Sequence, residues 1–198
     1  SDNITVFNGA ESLMSRPMGV YEKLFGERGL TFVRDESTIA VKGKLTGGEF
    51  NLPGNVSSQF ISGLLFALPL AKSDSIIKIT PPLESKSYIE LTISALKEFN
   101  VAVEWVDEYT LKVSGNQIYK ATDVTVEGDY SGAAFPESLN LFGASVNIDG
   151  LKEDSLQGDK IYRKYFEMLN MGVPSIHIGD CPDLGPILFA VAAAKYGG

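Results

Sequence analysis

One cysteine, Cys181, and one histidine, His177, are all that 198 residues hold of these two side chains. A disulfide within the chain is thereby excluded, and so is a multi-cysteine zinc site. A Ser-His-Asp arrangement has no alternative histidine to draw on, and a lone histidine near a turn is read as incidental. Cys181 is read as a packed thiol, and a reducing cytoplasm is the expected compartment. Positive charge is also scarce: 17 Lys and Arg stand against 25 Asp and Glu, a formal net charge of −8. No basic stripe interleaved with aromatics is present, so nucleic-acid binding is not expected. Long apolar runs are missing too. The longest mainly apolar stretch, Ile61 to Ala71, is about half of the roughly 20 residues that cross a bilayer, and no membrane association is expected. Ser1-Asp2-Asn3 offers neither the basic flank nor the apolar run of a signal peptide. The chain starts without Met and is read as a possible fragment. No G-x-x-x-x-G-K-[ST] phosphate loop occurs among its 20 glycines.

What remains is an ordinary globular composition, with 44% apolar, 21% charged and 10% aromatic residues, enough for one large domain or two small ones. Periodicity predicts alternating elements. Ser15-Arg16-Pro17-Met18 opens an amphipathic helix of about 12 residues through Tyr21, Leu24 and Phe25, with Pro17 in its first turn. Leu30 to Val33 and Ile39 to Val41 alternate around Arg34-Asp35-Glu36-Ser37 as a hairpin. A short strand ends at Leu52, and Ser57 to Leu70, apolar nearly all round, reads as a buried helix. Ile76 to Ile79 is a strand and Ser87 to Phe99 a helix. The order then returns. Val101 to Val106 and Tyr109 to Val113 form a hairpin, Val124 to Glu127 a strand, Gly132 to Phe142 a helix, Val146 to Ile148 a strand and Ile161 to Met171 a helix.

The repeat has a measurable period. Its helix-to-hairpin junction falls at Gly29, Asn100 and Gly172, separations of 71 and 72 residues. The turn into the buried helix recurs as Gly54-Asn55-Val56-Ser57-Ser58, Gly128-Asp129-Tyr130-Ser131-Gly132 and Gly179-Asp180-Cys181-Pro182-Asp183. One supersecondary unit at a fixed long period means an internally repeated architecture. The third copy is short. Gly29 to Gly54 spans 25 residues and Asn100 to Gly128 spans 28, whereas Gly172 to Gly179 spans 7, a shortfall of 18 to 21 that corresponds to the hairpin and the start of a strand. Val173 and Pro174 are accordingly expected not to be covalent neighbours in the natural polypeptide.

Chemistry concentrates at helix entrances. Ser57-Ser58-Gln59 opens an apolar helix, where unpaired N–H groups and the helix dipole favour an anion. A plain N-cap is the competing reading, and both stay open. Ser85-Lys86-Ser87-Tyr88 enters the next helix with the same two readings, and Arg16 is either an anion ligand or a surface charge. Asp183 places a carboxylate at the third helix entrance, where it either caps the helix or orients a ligand hydroxyl.

Six segments, taken in order, resemble the enolpyruvylshikimate-phosphate (EPSP) synthase family. They are Ser12-Leu13-Met14-Ser15-Arg16-Pro17-Met18, Gly54-Asn55-Val56-Ser57-Ser58-Gln59-Phe60, Ser85-Lys86-Ser87-Tyr88-Ile89, Val126-Glu127-Gly128-Asp129-Tyr130-Ser131, Leu156-Gln157-Gly158-Asp159 and Pro182-Asp183-Leu184. The resemblance implies an α/β (α+β) fold, the enolpyruvyl transferase-like inside-out α/β barrel of repeated β-α-β-α-β-β units. It places residues 1–127 in one lobe and residues 128–198 at the beginning of the second. It also implies transfer of the enolpyruvyl group from phosphoenolpyruvate to shikimate 3-phosphate in the shikimate pathway of aromatic amino-acid biosynthesis. No metal or organic cofactor is implied, and the full-length protein is expected to be a monomer.

By motif, Ser57, Ser58 and Ser85 are expected to hold the shikimate phosphate, Gln59 and Tyr88 to touch ring substituents, and Arg16 to bind phosphoenolpyruvate. Asp183 is expected to hydrogen-bond the attacking ring hydroxyl and accept its proton. The family's amino-terminal lysine and arginine loop, its N-A-G-T-A loop and its K-E-S-D-R stretch with later basic residues have no counterpart in these 198 residues. The isolated chain is therefore expected to be the middle of the enzyme, with part of one site and little catalysis. The alternatives are the UDP-N-acetylglucosamine enolpyruvyl transferase, of the same fold, and a non-catalytic anion-binding module. The Ser57-Ser58-Gln59 and Ser85-Lys86 pairs favour shikimate phosphate over a nucleotide sugar.

Overall fold

The computed structural model describes residues 3–173 and 175–197. The chain divides into two compact units, one of residues 1–83 with 95–121 and the other of residues 84–94 with 122–198. The expected discontinuity at Val173-Pro174 involves Pro174 and lies outside the described residues.

The first unit opens with strand β1 (Ile4–Asn8), which the sequence pattern does not announce because all five residues are exposed. Two helices follow where one is expected, α1 (Glu11–Met14) and α2 (Gly19–Glu27). Arg16-Pro17-Met18 forms the break between them instead of a first turn. Proline restricts the residue before it away from helical geometry, which explains the interruption. The first hairpin forms as β2 (Thr31–Arg34) and β3 (Thr38–Lys42), its turn held by Asp35, whose carboxylate accepts from the Ser37 and Thr38 amides at 2.8 and 2.7 Å. Strands β1, β3 and β2 make an antiparallel sheet in that order.

A second sheet, in the order β4-β5-β7-β6, takes in β4 (Gly48–Pro53), β5 (Ser75–Thr80), β6 (Val103–Asp107) and β7 (Thr110–Val113). β4 and β5 run parallel, joined by helix α3 (Ser58–Ala67) and a 3-10 turn (Leu68–Leu70), as a parallel pair requires a crossover. β7 joins antiparallel to both β5 and β6. Phe50, Leu52, Ile61, Leu65, Ile77, Leu111 and Val113 are buried almost completely, so α3 and the sheet share the unit's core.

Helix α4 (Lys86–Glu98) begins in the second unit. That unit continues with α5 (Tyr130–Glu137), α6 (Tyr162–Asn170) and α7 (Gly185–Tyr196) around Tyr130, Tyr162, Phe166, Leu184, Leu188 and Val191. Pro136 falls in the last turn of α5, and the chain tightens into a 3-10 turn (Ser138–Phe142) after Glu137. The two strands expected at Val124 to Glu127 and Val146 to Ile148 are not strands. Among the described residues the second unit contains no strand.

Candidate functional site

In the first unit the turn from β4 into α3 is built on Gly54. Its N–H donates to the Thr80 carbonyl at 2.9 Å, and a Cβ there would lie 2.6 Å from the Pro82 carbonyl oxygen and 2.9 Å from Ile79 Cγ2. Only glycine permits that approach. Three residues on, Ser57 takes extended backbone angles and caps α3, its Oγ accepting from the Gln59 N–H at 3.2 Å. The capping reading is thus realised. A hydroxyl that accepts one bond still has its hydrogen to donate, so the cap leaves Ser57 able to bind an anion oxygen. Ser58 is buried and Gln59 exposed. Tyr21 of α2 fixes the helix from its other side: its hydroxyl donates to the Phe60 carbonyl at 3.0 Å, and its ring meets Phe60 edge-on. Burial pushes the Tyr21 phenol up to about 12. Arg16 is exposed in the break between α1 and α2.

In the second unit Ser85 precedes α4 with φ 56, a left-handed backbone at a non-glycine residue, and its Oγ donates to the Gly179 carbonyl at 3.5 Å. This ties the entrance of α4 to the turn that leads towards α7. Tyr88, in the first turn of α4, lies within hydrogen-bond distance of two carboxylates. Its oxygen is 2.9 Å from Asp159 Oδ2 and 3.2 Å from Asp183 Oδ2. Burial first, then the two carboxylates, hold its phenol well above the ordinary tyrosine range. Asp183 sits exposed on the 3-10 turn (Pro182–Leu184) ahead of α7.

Asp159 figures in the sequence only as the end of Leu156-Gln157-Gly158-Asp159. It is 3% exposed, and burial, with Asp183 and Asp129 adding to it, raises its carboxyl above the usual range. The rest of that motif is structural. Gln157 Nε2 donates to Glu127 Oε1 at 2.9 Å and to the Gly128 carbonyl at 2.8 Å, while its Oε1 accepts from the Tyr130 N–H at 2.8 Å. Asp129 then caps α5 by accepting from the Ser131 N–H at 3.0 Å. Gly158 lies so close to α4 that a Cβ would fall 2.5 Å from Ser87 Oγ.

Of the sequence candidates, Ser57, Ser58 and Gln59 gather at one helix entrance of the first unit, which also holds Arg16. Tyr88 and Asp183 are joined in the second unit, where Ser85 bonds the same turn region. Cys181 is buried, and burial raises its thiol. His177 contributes its carbonyl, which accepts from Tyr165 at 2.8 Å. Among the described residues no group of three or more His, Cys, Asp and Glu side chains could hold a metal ion, and no helix is long and apolar enough to cross a membrane.

A model of the family EPSP synthase (3-phosphoshikimate 1-carboxyvinyltransferase) matches residues 1–192. The chain belongs to the EPSP synthase family. The 3-phosphoshikimate 1-carboxyvinyltransferase of Clostridium beijerinckii is 40% identical to it over 215 residues, covering 99% of this chain and 49% of that protein. The enzyme of the same name from Clostridioides difficile is 40% identical over 214 residues, with 99% and 49% covered. The chain spans about half the length of the curated relatives it matches. Two structures of EPSP synthase from Acinetobacter baumannii share the fold, with TM-scores of 0.64 and 0.67 at 19% and 20% identity. They cover 97% and 96% of this chain and 49% and 50% of theirs. The fold class implied by the resemblance is therefore that of the EPSP synthases, and Ser57, Ser58, Gln59, Ser85, Tyr88 and Asp183 lie in segments the EPSP synthase model matches.

Proposed function

We propose that this polypeptide is part of an enzyme that transfers the enolpyruvyl group of phosphoenolpyruvate to shikimate 3-phosphate and releases phosphate. The observation that carries the reading is the Tyr88–Asp183 contact, 3.2 Å, which holds an exposed carboxylate beside a phenol at a helix entrance. Relatives 40% identical to the chain carry the name 3-phosphoshikimate 1-carboxyvinyltransferase.

In this reading Asp183 hydrogen-bonds the attacking ring hydroxyl and takes its proton as the oxygen bonds to the enol carbon of phosphoenolpyruvate. A proton reaches the neighbouring methylene carbon in the same addition. The tetrahedral product then loses phosphate and one proton of the new methyl group, so that the carbon–carbon double bond re-forms, now as an enol ether. Ser57, Ser58 and Ser85 serve the shikimate phosphate, donating hydroxyl hydrogens to its oxygens. Gln59 and Tyr88 contact ring substituents, and Arg16 pairs with phosphoenolpyruvate.

The test is titration of the full-length enzyme with shikimate 3-phosphate and with UDP-N-acetylglucosamine, each followed by assay of phosphate release from phosphoenolpyruvate. Release that depends on shikimate 3-phosphate alone supports the reading. Dependence on the nucleotide sugar assigns the protein to the other enolpyruvyl transferase, and binding without release makes it an anion-binding module.

A further inference from the structure

The cluster at Tyr88 has fewer hydrogens than contacts. A phenol carries one hydrogen, yet its oxygen lies 2.9 Å from Asp159 Oδ2 and 3.2 Å from Asp183 Oδ2. If both carboxylates were ionised, one of these contacts would press lone pairs together without a donor. A second hydrogen makes both contacts hydrogen bonds. We propose that Asp159 is a positioning residue that stands protonated in the folded protein and donates its Oδ2 hydrogen to the Tyr88 oxygen, committing the Tyr88 O–H to Asp183.

Three observations put the extra proton on Asp159 and not on Asp183. Asp159 is the one carboxylate in the buried core among the described residues, 3% exposed, whereas Asp183 is exposed to water. Its second oxygen, Oδ1, is buried without a hydrogen-bond partner. An orphaned oxygen costs far more on an anion than on a neutral acid. The carboxylates whose charge acts on it, Asp183 before α7 and Asp129 at the cap of α5, both oppose a negative charge there, and the adjacent Lys160 gives its ammonium to the Ser155 carbonyl at 2.8 Å. The close approach of Gly158 to Ser87 fixes the backbone on which Asp159 faces Tyr88, one residue beyond each. With Tyr88 committed as a donor, Asp183 is held by one oxygen and keeps its other lone pairs for a ligand hydroxyl. That catalytic consequence rests on the proposed role of Asp183; the protonation does not.

The two are tested separately. On this polypeptide, the infrared difference between wild type and D159N at pH 7 should show the C=O stretch of a protonated carboxylic acid, moved by isotope labelling of aspartate. In thermal denaturation D159N should gain on the wild type as pH rises from 4 to 7, because Asp159 must take up a proton on folding and the asparagine need not. In the full-length enzyme the introduced amide replaces the donor, so D159N should keep kcat/KM within about threefold and leave the pH profile in place. D159L, which has no donor, should lower kcat by about tenfold or more with the KM for phosphoenolpyruvate unchanged. Loss of the carboxylic-acid band, or a D159N profile displaced along the pH axis, overturns the proposal, and D159N decides it even if D159L does not fold. A band that persists in an enzyme indifferent to shikimate 3-phosphate upholds the proton assignment and removes the functional reading.

Discussion

The Gly128 N–H donates to the Gly150 carbonyl at 3.1 Å, the bond that Gly54 makes to Thr80 at 2.9 Å one repeat earlier. Both glycines are pressed against the carbonyl-bearing segment, where a Cβ would lie 2.8 Å from the Gly150 oxygen or 2.6 Å from the Pro82 oxygen. The two copies thus close the same turn. In the first, the closure continues into a parallel pair, β4 with β5, flanked by the hairpin strand β7. In the second, the segments ending at Glu127 and Ile148 form no ladder.

We expect the partner of these segments to be a hairpin after α6. Between Leu169 and Tyr196 lies an apolar hollow of about 460 Å³, lined by Ile176, Ile178, Leu188 and Phe189. Alignment with the Clostridium beijerinckii enzyme runs over 215 residues against a chain of 198, so at least 17 positions face no residue here. We therefore expect the natural gene to encode about that many residues between Val173 and Pro174, which sequencing checks directly. Restoring them should protect the amides of Thr125, Val126 and Asn147 from hydrogen exchange, because strand pairing would then enclose them. Unchanged exchange in the restored protein would show that the hairpin does not belong to this sheet.

Substitution at the turn gives a second prediction. In G54A the new methyl group meets the backbone of the Pro82–Leu83 peptide as well as Ile79 Cγ2, so it cannot be relieved by turning a flexible side chain. The loss in stability should be about 1–3 kcal/mol, read as a lowered urea midpoint with the slope unchanged. G19A, at an exposed position where a Cβ meets nothing within 4 Å, is the control and should not lower the midpoint.

Alkaline pH should unfold the protein through its buried phenols. Tyr21 and Tyr162 are raised by burial to about 12 from an ordinary value of 10.0. The unfolded chain releases these protons near pH 10, while the folded chain keeps them. Above that pH the unfolded state binds fewer protons, and stability falls by about 1.4 kcal/mol per pH unit for each group until the folded phenols also ionise. Y21F should reduce the slope between pH 10 and 12 in chemical denaturation. An equal slope in both proteins would mean that Tyr21 carries no share of it.

The elements legible in the sequence were those whose partners lie close along the chain. The two hairpins, with their two-residue alternation, formed close to their expected bounds as β2–β3 and β6–β7. The apolar run after Gly54 became α3 because it is too long for a strand, although only one face of it, Phe60, Ile61, Leu64 and Leu65, is buried while Phe66 is exposed. Strand β1 was illegible, since Ile4–Asn8 is exposed throughout and owes its state to pairing with β3. Val124 to Glu127 reads as a strand but lacks its ladder, a reminder that strand propensity needs a neighbour to act on. The candidate residues stood out because each sits at a helix entrance. Asp159 also stands at a helix entrance, in the 3-10 turn (Gly158–Ile161) ahead of α6, but only its burial and its contact with Tyr88 single it out.

The isolated 198-residue chain should release no phosphate from phosphoenolpyruvate in the presence of shikimate 3-phosphate. It spans 49% of its relatives, and the basic segments of the family that would stabilise phosphate charge in the transition state have no counterpart in it. A coupled phosphate assay with full-length enzyme as the positive control decides this. Turnover by the chain alone would show that those basic segments are dispensable.

The serine pair separates capping from binding. Ser57 already accepts from the Gln59 N–H, so S57A removes a cap and should cost about 1 kcal/mol of stability with no ligand present. Ser58 is not the cap, so its hydroxyl is free of that duty. In the full-length enzyme the double variant S57A/S58A should weaken shikimate 3-phosphate by about 1.5–3 kcal/mol for each charge-assisted hydrogen bond lost. Phosphoenolpyruvate affinity, measured without shikimate 3-phosphate, should change less, because the two hydroxyls address the other phosphate. Calorimetric titration of each ligand, corrected for the stability loss of S57A alone, distinguishes the outcomes. Equal losses for both ligands would reduce Ser57 and Ser58 to a helix cap and its buried neighbour, and would move the shikimate phosphate away from the entrance of α3.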